Sequence, residues 1–259
     1  MTNLNPSVYF VGAGPGDPEL LTLKAYKIIR EADVILYADS LVPKQILEDA
    51  RQDCELIPTG NKTLEDIMKI MVDRVRNHRS VVRLHSGDLT LYSAIQEQIL
   101  RLLQEEIEFH LIPGISAFQA AAAKIGTELT IPDLVQTIIL TRVSGSASQV
   151  PPAEELEGLA AHQASLCLYL AARHVKKSQE KLLQFYPSST SVAICFRIGW
   201  PDEKILIVPL EKMAEVTEKE NLIRTTLYII SPALNTQKSS RSRLYHPQHS
   251  HLFRPNLLS

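Results

Sequence analysis

The amino-acid sequence predicts an α/β protein that consists of two α/β domains. Short apolar runs alternate with amphipathic stretches of helical period through most of the 259 residues. Strands that alternate with helices favour a mostly parallel sheet with right-handed crossovers. After the turn Pro113-Gly114, the strand candidates predict a second, more hairpin-like half. We therefore expect domains at residues 1–113 and 114–234, followed by a C-terminal extension at 235–259.

The first strand and the turn behind it form the most informative segment of the chain. Apolar residues 8–11 are followed by Gly12-Ala13-Gly14-Pro15-Gly16-Asp17-Pro18. Glycine allows positive φ and lets a ligand approach the backbone closely. Asp17 and Pro18 are typical of the N-cap and the first residue of a helix, and the helical period continues to Ala32. A strand, a glycine turn and a helix in this order predict a nucleotide-type site.

The other elements are predicted from the same periodicities. We expect a helix over residues 63–77, with Thr63 as its cap and Asp66 as a capping-box partner. Alanine-rich residues 117–124 predict a helix that packs closely against a neighbour or a ligand. The remaining predictions are a helix over 90–105 and strands over 34–37, 80–84, 108–112, 136–141, 165–170, 191–196, 204–209 and 225–230.

The glycine turn favours an adenosine-type ligand that carries no phosphate. A dinucleotide-binding turn has a third glycine where Asp17 stands, and the Asp17 carboxylate would lie beside a pyrophosphate. A Walker loop is excluded because no Lys-Ser or Lys-Thr pair follows the glycines. A tight turn that binds no ligand is the alternative that this motif alone leaves open.

The net charge, the cysteines and the apolar runs of the sequence indicate which partners and which cellular compartment to expect. The formal net charge of −2 provides no overall positive field, so we expect no nucleic-acid partner. Cys54, Cys167 and Cys195 are far apart and lack a Cys-x-x-Cys spacing, which indicates reduced thiols. No apolar run is long enough to cross a membrane, and the N-terminus lacks a signal-peptide pattern. We therefore expect a cytoplasmic protein without a membrane partner.

Four short polar turns follow predicted strands, at the sheet edge where open α/β folds bind ligands. His85 is the candidate general base, and Asp88 and Ser116 are either helix caps or ligand-binding groups. The sequence contains no nucleophile elbow, and the histidines of the polar tail are expected in a solvated extension without a metal. A reaction that depends mainly on the positioning of two ligands is therefore more consistent with these residues than hydrolysis is. These turns are residues 12–17, 37–40, 85–88 and 113–117, and the tail histidines are His246, His249 and His251.

Three of these turns resemble the tetrapyrrole methylase family. The matching segments are 11–18 (VGAGPGDP), 82–88 (VRLHSGD) and 112–116 (IPGIS), and they occur in the order typical of that family. The resemblance extends over nearly all of residues 8–234. The segments that resemble one corrin-pathway subgroup of the family are 37–42, 128–132, 136–142, 159–164, 200–204 and the tail segment 242–247.

The resemblance implies a methyltransferase with S-adenosylmethionine as cofactor and a tetrapyrrole as substrate. It also implies two α/β domains with the ligand cleft between them, and a homodimer. The subgroup resemblance implies methylation of a ring carbon of a corrin precursor. Two alternatives stay open: a sister enzyme that methylates another ring position, and a ligand-binding module without turnover.

The resemblance further assigns roles to single residues. Substrate carboxylates are expected at guanidinium groups, which suit bidentate binding. His85 and Asp39 are the candidate catalytic residues. Asp39 is also expected to repel an anionic substrate, because it places a carboxylate where relatives of the subgroup usually have glycine. The implied contacts with S-adenosylmethionine are Pro15, Ser86, Gly87, Asp88, Leu91, Ser116, Ala117, Leu170, Ile198 and Thr226. The candidate substrate-binding residues are Arg83, Arg142, Arg173, His174 and Arg197.

Overall fold

A computed structural model describes residues 4–145 and 149–235 of the chain. The chain folds into two compact units, Met1–Ala121 with Arg197–Glu203 and Ala122–Phe196 with Lys204–Ser259. The predicted domain boundaries at 113/114 and 234/235 stay predictions. The tail histidines and the segment 242–247 lie outside the described residues.

The first unit contains a five-stranded sheet in the order β3-β2-β4-β1-β5, and all of its neighbouring strands are parallel. Its strands are β1 (Val8–Gly12), β2 (Val34–Tyr37), β3 (Glu55–Pro58), β4 (Val81–His85) and β5 (Phe109–Ile112). The helices that begin in this unit are α1 (Leu23–Glu31), α2 (Leu64–Arg76), α3 (Ile95–Gln104) and α4 (Ala117–Ile125).

Helices cover both faces of this sheet, which explains why every residue of β1 and β4 is buried. Successive side chains of a strand point to opposite faces. Val8 and Phe10 accordingly belong to one core cluster with side chains of α2 and α3, and Tyr9 and Val11 belong to another with side chains of α1. The parallel arrangement expected for the first half is therefore confirmed.

The second unit contains a five-stranded sheet in the order β6-β7-β10-β8-β9. Only β6 and β7 pair in parallel among the strands described there, and the other three pairings are antiparallel. This mixed sheet confirms the hairpin-like second half. Its strands are β6 (Ile138–Arg142), β7 (Ser165–Tyr169), β8 (Ser191–Phe196), β9 (Lys204–Pro209) and β10 (Thr226–Ile230). The later helices are α5 (Leu156–Ala160), α6 (Val175–Leu182) and α7 (Met213–Lys219).

The prediction of one continuous helix from Asp17 to Ala32 was wrong. Asp17 caps only the 3-10 turn Pro18–Leu20, where its Oδ1 accepts a hydrogen bond of 2.9 Å from Glu19 N. A second cap follows at Thr22, whose Oγ1 accepts a bond of 3.2 Å from Ala25 N, so α1 starts independently. Cap side chains favour non-helical backbone at their own position, which separates the two helices.

The predicted start of the helix over 90–105 was also wrong, since α3 begins at Ile95. Tyr92 and Ala94 have left-handed backbone, with φ of 56° and 50°, which no α-helix tolerates. Strand β3 was not predicted. It is an edge strand with two exposed side chains and a proline in four residues, so its apolar pattern is weak.

No helix within the described ranges combines the length and apolar character needed to cross a bilayer. In the same ranges, no three His, Cys, Asp or Glu side chains are grouped so that they could hold a metal ion.

Candidate functional site

The turns behind β1, β4 and β5 lie directly against one another at the carboxyl edge of the first sheet. Gly14 N donates to Gly87 O at 3.2 Å, and Gly87 N donates to Gly14 O at 2.7 Å. A Cβ on Gly12 would lie only 2.6 Å from Gly114 N and 2.8 Å from Gly87 O. Only glycine allows backbones to approach so closely. We call the contact of Gly12, Gly14, Gly87 and Gly114 the turn junction.

Asp88 fixes the loop behind β4 to the turn behind β5. Its Oδ2 accepts a hydrogen bond of 2.9 Å from Gly114 N, and its Oδ1 accepts bonds from the backbone N and the hydroxyl of Thr90. The expectation that Asp88 caps a helix was wrong, because α3 begins seven positions later in the chain, at Ile95. Partial burial raises the pKa of the Asp88 carboxyl, but these hydrogen bonds outweigh burial and hold the pKa below its usual value.

Several predicted cofactor-binding residues surround the turn junction. Ser116 is buried at the start of α4, where its backbone N donates to Gln119 Oε1 at 2.9 Å. Apart from its chain neighbours, a Cβ on Gly87, which has φ of 69°, would meet only Ser116 Cα, at 3.9 Å, among the described residues, so the turn leaves space on that side. A neighbouring pocket of about 420 Å³ is lined by Asp88, Leu89 and Pro113, among others. Of the remaining predicted residues here, Pro15 and Gly87 are buried, and Ser86, Leu91 and Ala117 are half-buried.

The two candidate catalytic residues occupy different environments. His85 is buried at the end of β4, and burial together with the positive charge of Arg83 lowers the pKa of its imidazole to about 3. His85 is therefore neutral at pH 7. Asp39 is exposed behind β2, and its Oδ1 accepts a hydrogen bond of 2.8 Å from Gly60 N. Asp39 thus fixes the loop behind β3, a contact that sequence reasoning did not predict.

The segment Arg197–Glu203 packs on the glycine turn behind β1. A Cβ on Gly16 would lie 2.5 Å from Cδ1 of Trp200. The guanidinium of Arg197 lies 3.9 Å from the centroid of the Trp200 ring and forms an ion pair of 2.9 Å with Asp202. Ile198, a predicted cofactor contact, is buried in the same segment. Sequence reasoning placed Trp200 only within a family segment and missed its packing role.

In the second unit, three predicted residues lie at one edge of the mixed sheet. Arg142 ends β6, Leu170 follows β7, and Thr226 starts β10, which runs antiparallel to β7. Leu170 is 61% exposed and has φ of 55°, and Thr225 also has φ of 55°. Left-handed backbone is costly for leucine and for β-branched threonine, and such strain often accompanies functional sites. Arg173 and His174, two further candidates, are exposed in the 3-10 turn Ala172–His174.

The sequence profile of the Tetrapyrrole (Corrin/Porphyrin) Methylases matches residues 7–214 of the chain. The chain belongs to the tetrapyrrole methylase family. This confirms both the family resemblance and the two-unit α/β fold.

Individual members of the tetrapyrrole methylase family are similar over nearly the whole chain. The cobalt-precorrin-4 C(11)-methyltransferase of Methanocaldococcus jannaschii is 41% identical over 251 residues, with 96% of each chain covered. The precorrin-4 C(11)-methyltransferase of Pseudomonas aeruginosa is 40% identical over 249 residues, with 96% of this chain and 99% of the relative covered. The crystal structure of CbiF, a cobalt precorrin-4 methyltransferase, matches with a TM-score of 0.86 at 36% identity, over 89% of this chain and 96% of CbiF.

A second branch of the tetrapyrrole methylases is less similar in structure. Uroporphyrin-III C-methyltransferase from Thermus thermophilus, solved with S-adenosyl homocysteine, matches with a TM-score of 0.74 at 28% identity, over 91% of this chain and 96% of that chain. This chain therefore resembles CbiF more closely in structure than it resembles the uroporphyrin-III enzyme.

Proposed function

We propose that this tetrapyrrole methylase transfers a methyl group from S-adenosylmethionine to C11 of precorrin-4 or cobalt-precorrin-4. The observation that carries the proposal is the similarity to C11-methyltransferases over nearly the full length, at 41% and 40% identity. The relatives include enzymes named for the cobalt-containing and for the metal-free substrate, so the proposal covers both. The higher TM-score for CbiF, 0.86 against 0.74, favours the corrin substrate over uroporphyrinogen.

The turn junction fits S-adenosylmethionine better than it fits a phosphate-bearing cofactor. Asp88 adds a carboxylate, whose lowered pKa keeps it charged at neutral pH, and the Gly12–Asp17 turn contains no cationic side chain. A sulfonium cofactor suits such an electronegative environment, whereas a pyrophosphate does not. When bound, the cofactor supplies an electrophilic methyl group. Pro15, Ser86, Gly87, Ser116 and Ala117 would line its place in the first unit, and Leu170, Ile198 and Thr226 are the proposed contacts from the later part of the chain.

The chain's own residues would act by positioning and by desolvation. Aligning two bound reactants can contribute up to about 7–11 kcal/mol to a transfer reaction. His85 is neutral and buried, so it can hold a hydrogen bond without adding positive charge near a sulfonium group. Its pKa of about 3 also makes His85 a weak base. We propose that His85 positions the substrate and that Arg142, Arg173 and Arg197 bind its carboxylates, whereas the Asp39 carboxylate repels them.

A direct experiment is incubation of the protein with S-adenosylmethionine labelled in the methyl group and a panel of tetrapyrroles. We expect label in precorrin-4 or cobalt-precorrin-4, and little in uroporphyrinogen III or precorrin-2. Preferential labelling of uroporphyrinogen III would contradict the proposed substrate while leaving the reaction class intact. No labelling of any member of the panel would support a binding module that lacks turnover.

We also propose a homodimer. Leu100 and Leu103 are exposed on α3, and Leu111 is exposed on the edge strand β5. Leu111 lines a pocket together with Gln96, and Leu100 and Leu103 follow Gln96 on the same face of α3. Exposed apolar patches commonly mark interfaces. Light scattering should give twice the chain mass, and a Leu103→Glu variant should give the mass of one chain; a monomeric wild type would contradict the dimer.

A further inference from the structure

Three polar side chains form a buried cluster in the first unit, between the ends of β3 and β4. Nη1 of Arg83 donates a hydrogen bond of 3.1 Å to Oγ1 of Thr59, the residue directly after β3. The Thr59 hydroxyl is itself oriented, because it donates to the carbonyl of Tyr37 at 3.1 Å. His85 lies two residues beyond Arg83, on the same face of β4. Thr59, Arg83 and His85 are 6%, 7% and 8% exposed, and we call them the Arg83 cluster.

The positive charge of the Arg83 cluster has no counter-charge among the described residues. No Asp or Glu side chain of the described ranges forms an ion pair with Arg83, and its Nε as well as Nε2 of His85 lack hydrogen-bond partners there. The carboxylates of the neighbouring loops bind elsewhere, Asp39 to Gly60 and Asp88 to Gly114. Burial lowers the pKa of Arg83 to about 10, in keeping with an unpaired guanidinium.

A buried and unpaired guanidinium costs free energy, so folded proteins normally pair it with an anion. Arginine presents its donors in a planar fork that matches a carboxylate. In the Arg83 cluster, the bond to Thr59 fixes Nη1, while the buried Nε has no hydrogen-bond partner among the described residues. The neutral imidazole of His85 can donate a further hydrogen bond when its proton is on Nε2.

We propose that the Arg83 cluster binds a peripheral carboxylate of the tetrapyrrole substrate. The inference rests on the proposed function, since it takes the polycarboxylate from that proposal. In this arrangement Thr59, Arg83 and His85 hold one carboxylate of the substrate at the ends of β3 and β4.

The position of the cluster favours the tetrapyrrole over the carboxylate of S-adenosylmethionine. In the strand order β3-β2-β4-β1-β5, the turn junction joins loops behind β4, β1 and β5. The Arg83 cluster instead reaches from β4 across β2 to the residue behind β3. The two sites therefore lie on opposite sides of β4 along the carboxyl edge.

The test compares Arg83→Met, Arg83→Lys and, as a matched control, Arg76→Met. Arg76 is an exposed arginine of α2 that pairs with Glu105 at 2.8 Å. The probe for the tetrapyrrole is uroporphyrin I, a stable octacarboxylate whose binding is followed by fluorescence, and S-adenosylhomocysteine binding is measured by calorimetry. We expect Arg83→Met to weaken uroporphyrin binding by about tenfold or more, as for loss of a charge-assisted hydrogen bond. Arg83→Lys should weaken it less.

Two further readouts separate this role from a structural one. Arg83→Met should leave the affinity for S-adenosylhomocysteine unchanged and should not lower Tm, because it removes an unpaired buried charge. The Arg76→Met control should change neither affinity. Unchanged uroporphyrin binding in Arg83→Met would overturn the proposal, as would weaker binding of S-adenosylhomocysteine alone. A lower Tm with equal weakening of both ligands would show a merely structural arginine.

If Arg83→Met does not fold, the same comparison is made with Arg83→Lys, which should weaken uroporphyrin binding and leave S-adenosylhomocysteine binding unchanged. Failure of the proposed function is seen separately, in the wild type. A wild type that binds uroporphyrin through Arg83 but methylates neither precorrin-4 nor cobalt-precorrin-4 would refute that function and keep the carboxylate site.

Discussion

At the scale of single residues, Asp88 connects two loops of the candidate site through both of its carboxylate oxygens. Asp88→Ala removes the acceptors for Gly114 N and Thr90 N. We expect the free energy of unfolding to fall by about 1–3 kcal/mol, since backbone donors lose a charged partner. Because the same bonds shape the turn junction, we also expect the affinity for S-adenosylhomocysteine to fall about tenfold.

Asp66→Ala is the matched control for Asp88→Ala. Asp66 is an exposed carboxylate of the capping box of α2, and its loss should lower stability slightly without changing cofactor affinity. Calorimetry and urea unfolding of both variants decide the matter. If Asp88→Ala is less stable but binds S-adenosylhomocysteine like the wild type, Asp88 has a structural role only.

Asp39 combines a negative charge with a structural hydrogen bond to Gly60 N, and two variants separate these properties. Asp39→Asn keeps an acceptor and removes the charge, so we expect a lower KM for precorrin-4 because repulsion of substrate carboxylates is relieved. Asp39→Gly also removes the acceptor, and should lose about 1 kcal/mol of stability. Steady-state kinetics at low and high salt test the charge effect, which salt should screen. A higher KM for Asp39→Asn would show instead that the substrate needs the carboxylate.

The lowered pKa of His85 predicts a specific loss of stability in acid. The folded state holds His85 neutral down to a pKa of about 3, whereas the unfolded chain protonates it near pH 6.5. The unfolded state therefore binds more protons between these values, and stability falls as the pH falls through this window. From pH 7 to pH 5, the wild type should lose about 2 kcal/mol more than a His85→Gln variant. Equal losses in urea unfolding would contradict a buried neutral His85.

At the scale of elements, the turn junction depends on glycine in three loops that come from distant parts of the sequence. A Cβ on Gly114 would collide with Gly87 O and would lie 2.8 Å from Gly12 Cα. Gly114→Ala should therefore cost about 1–3 kcal/mol and weaken S-adenosylhomocysteine binding. In the control Gly158→Ala, the new Cβ would have no atom of the described residues within 4 Å apart from its chain neighbours and the backbone of its own helix, and stability should stay or rise by about 0.5–1 kcal/mol. Equal stability of the two variants in thermal unfolding would contradict the close approach at the junction.

Strongly apolar elements with clear turns could be predicted from the sequence. Strands β2, β8 and β9 have the bounds that their apolar runs predict, and the capping box of Thr63 and Asp66 is present. Local patterns could not locate β3, because an edge strand with a proline resembles a loop. They also could not show that the loop after Asp88 is held by a contact with Gly114, since that bond joins residues far apart in sequence.

The candidate site shows the same limit. The glycine turns could be assigned to one sheet edge, since carboxyl ends of parallel strands meet there. The packing of Trp200 on Gly16 and the bond from Arg83 to Thr59 could not be predicted, because both contacts depend on the folded arrangement of separate loops. Roles for Leu170, Arg142 and Arg173 came only from the family resemblance and stay predictions.

At the scale of the whole molecule, the fold and the family are those of the tetrapyrrole methylases. The glycine turns belong to the first compact unit, and Leu170 and Thr226, to which the family resemblance assigns cofactor contacts, belong to the second. We propose that these residues serve methyl transfer to one particular ring carbon of a corrin precursor.

The position of the transferred methyl group is tested by NMR of the product formed from precorrin-4 and S-adenosylmethionine with a ¹³C-labelled methyl group. We predict one new labelled methyl, bonded to C11 of the macrocycle, and no such signal in a reaction without the protein. A labelled methyl at any other ring carbon would contradict the assignment as a C11-methyltransferase.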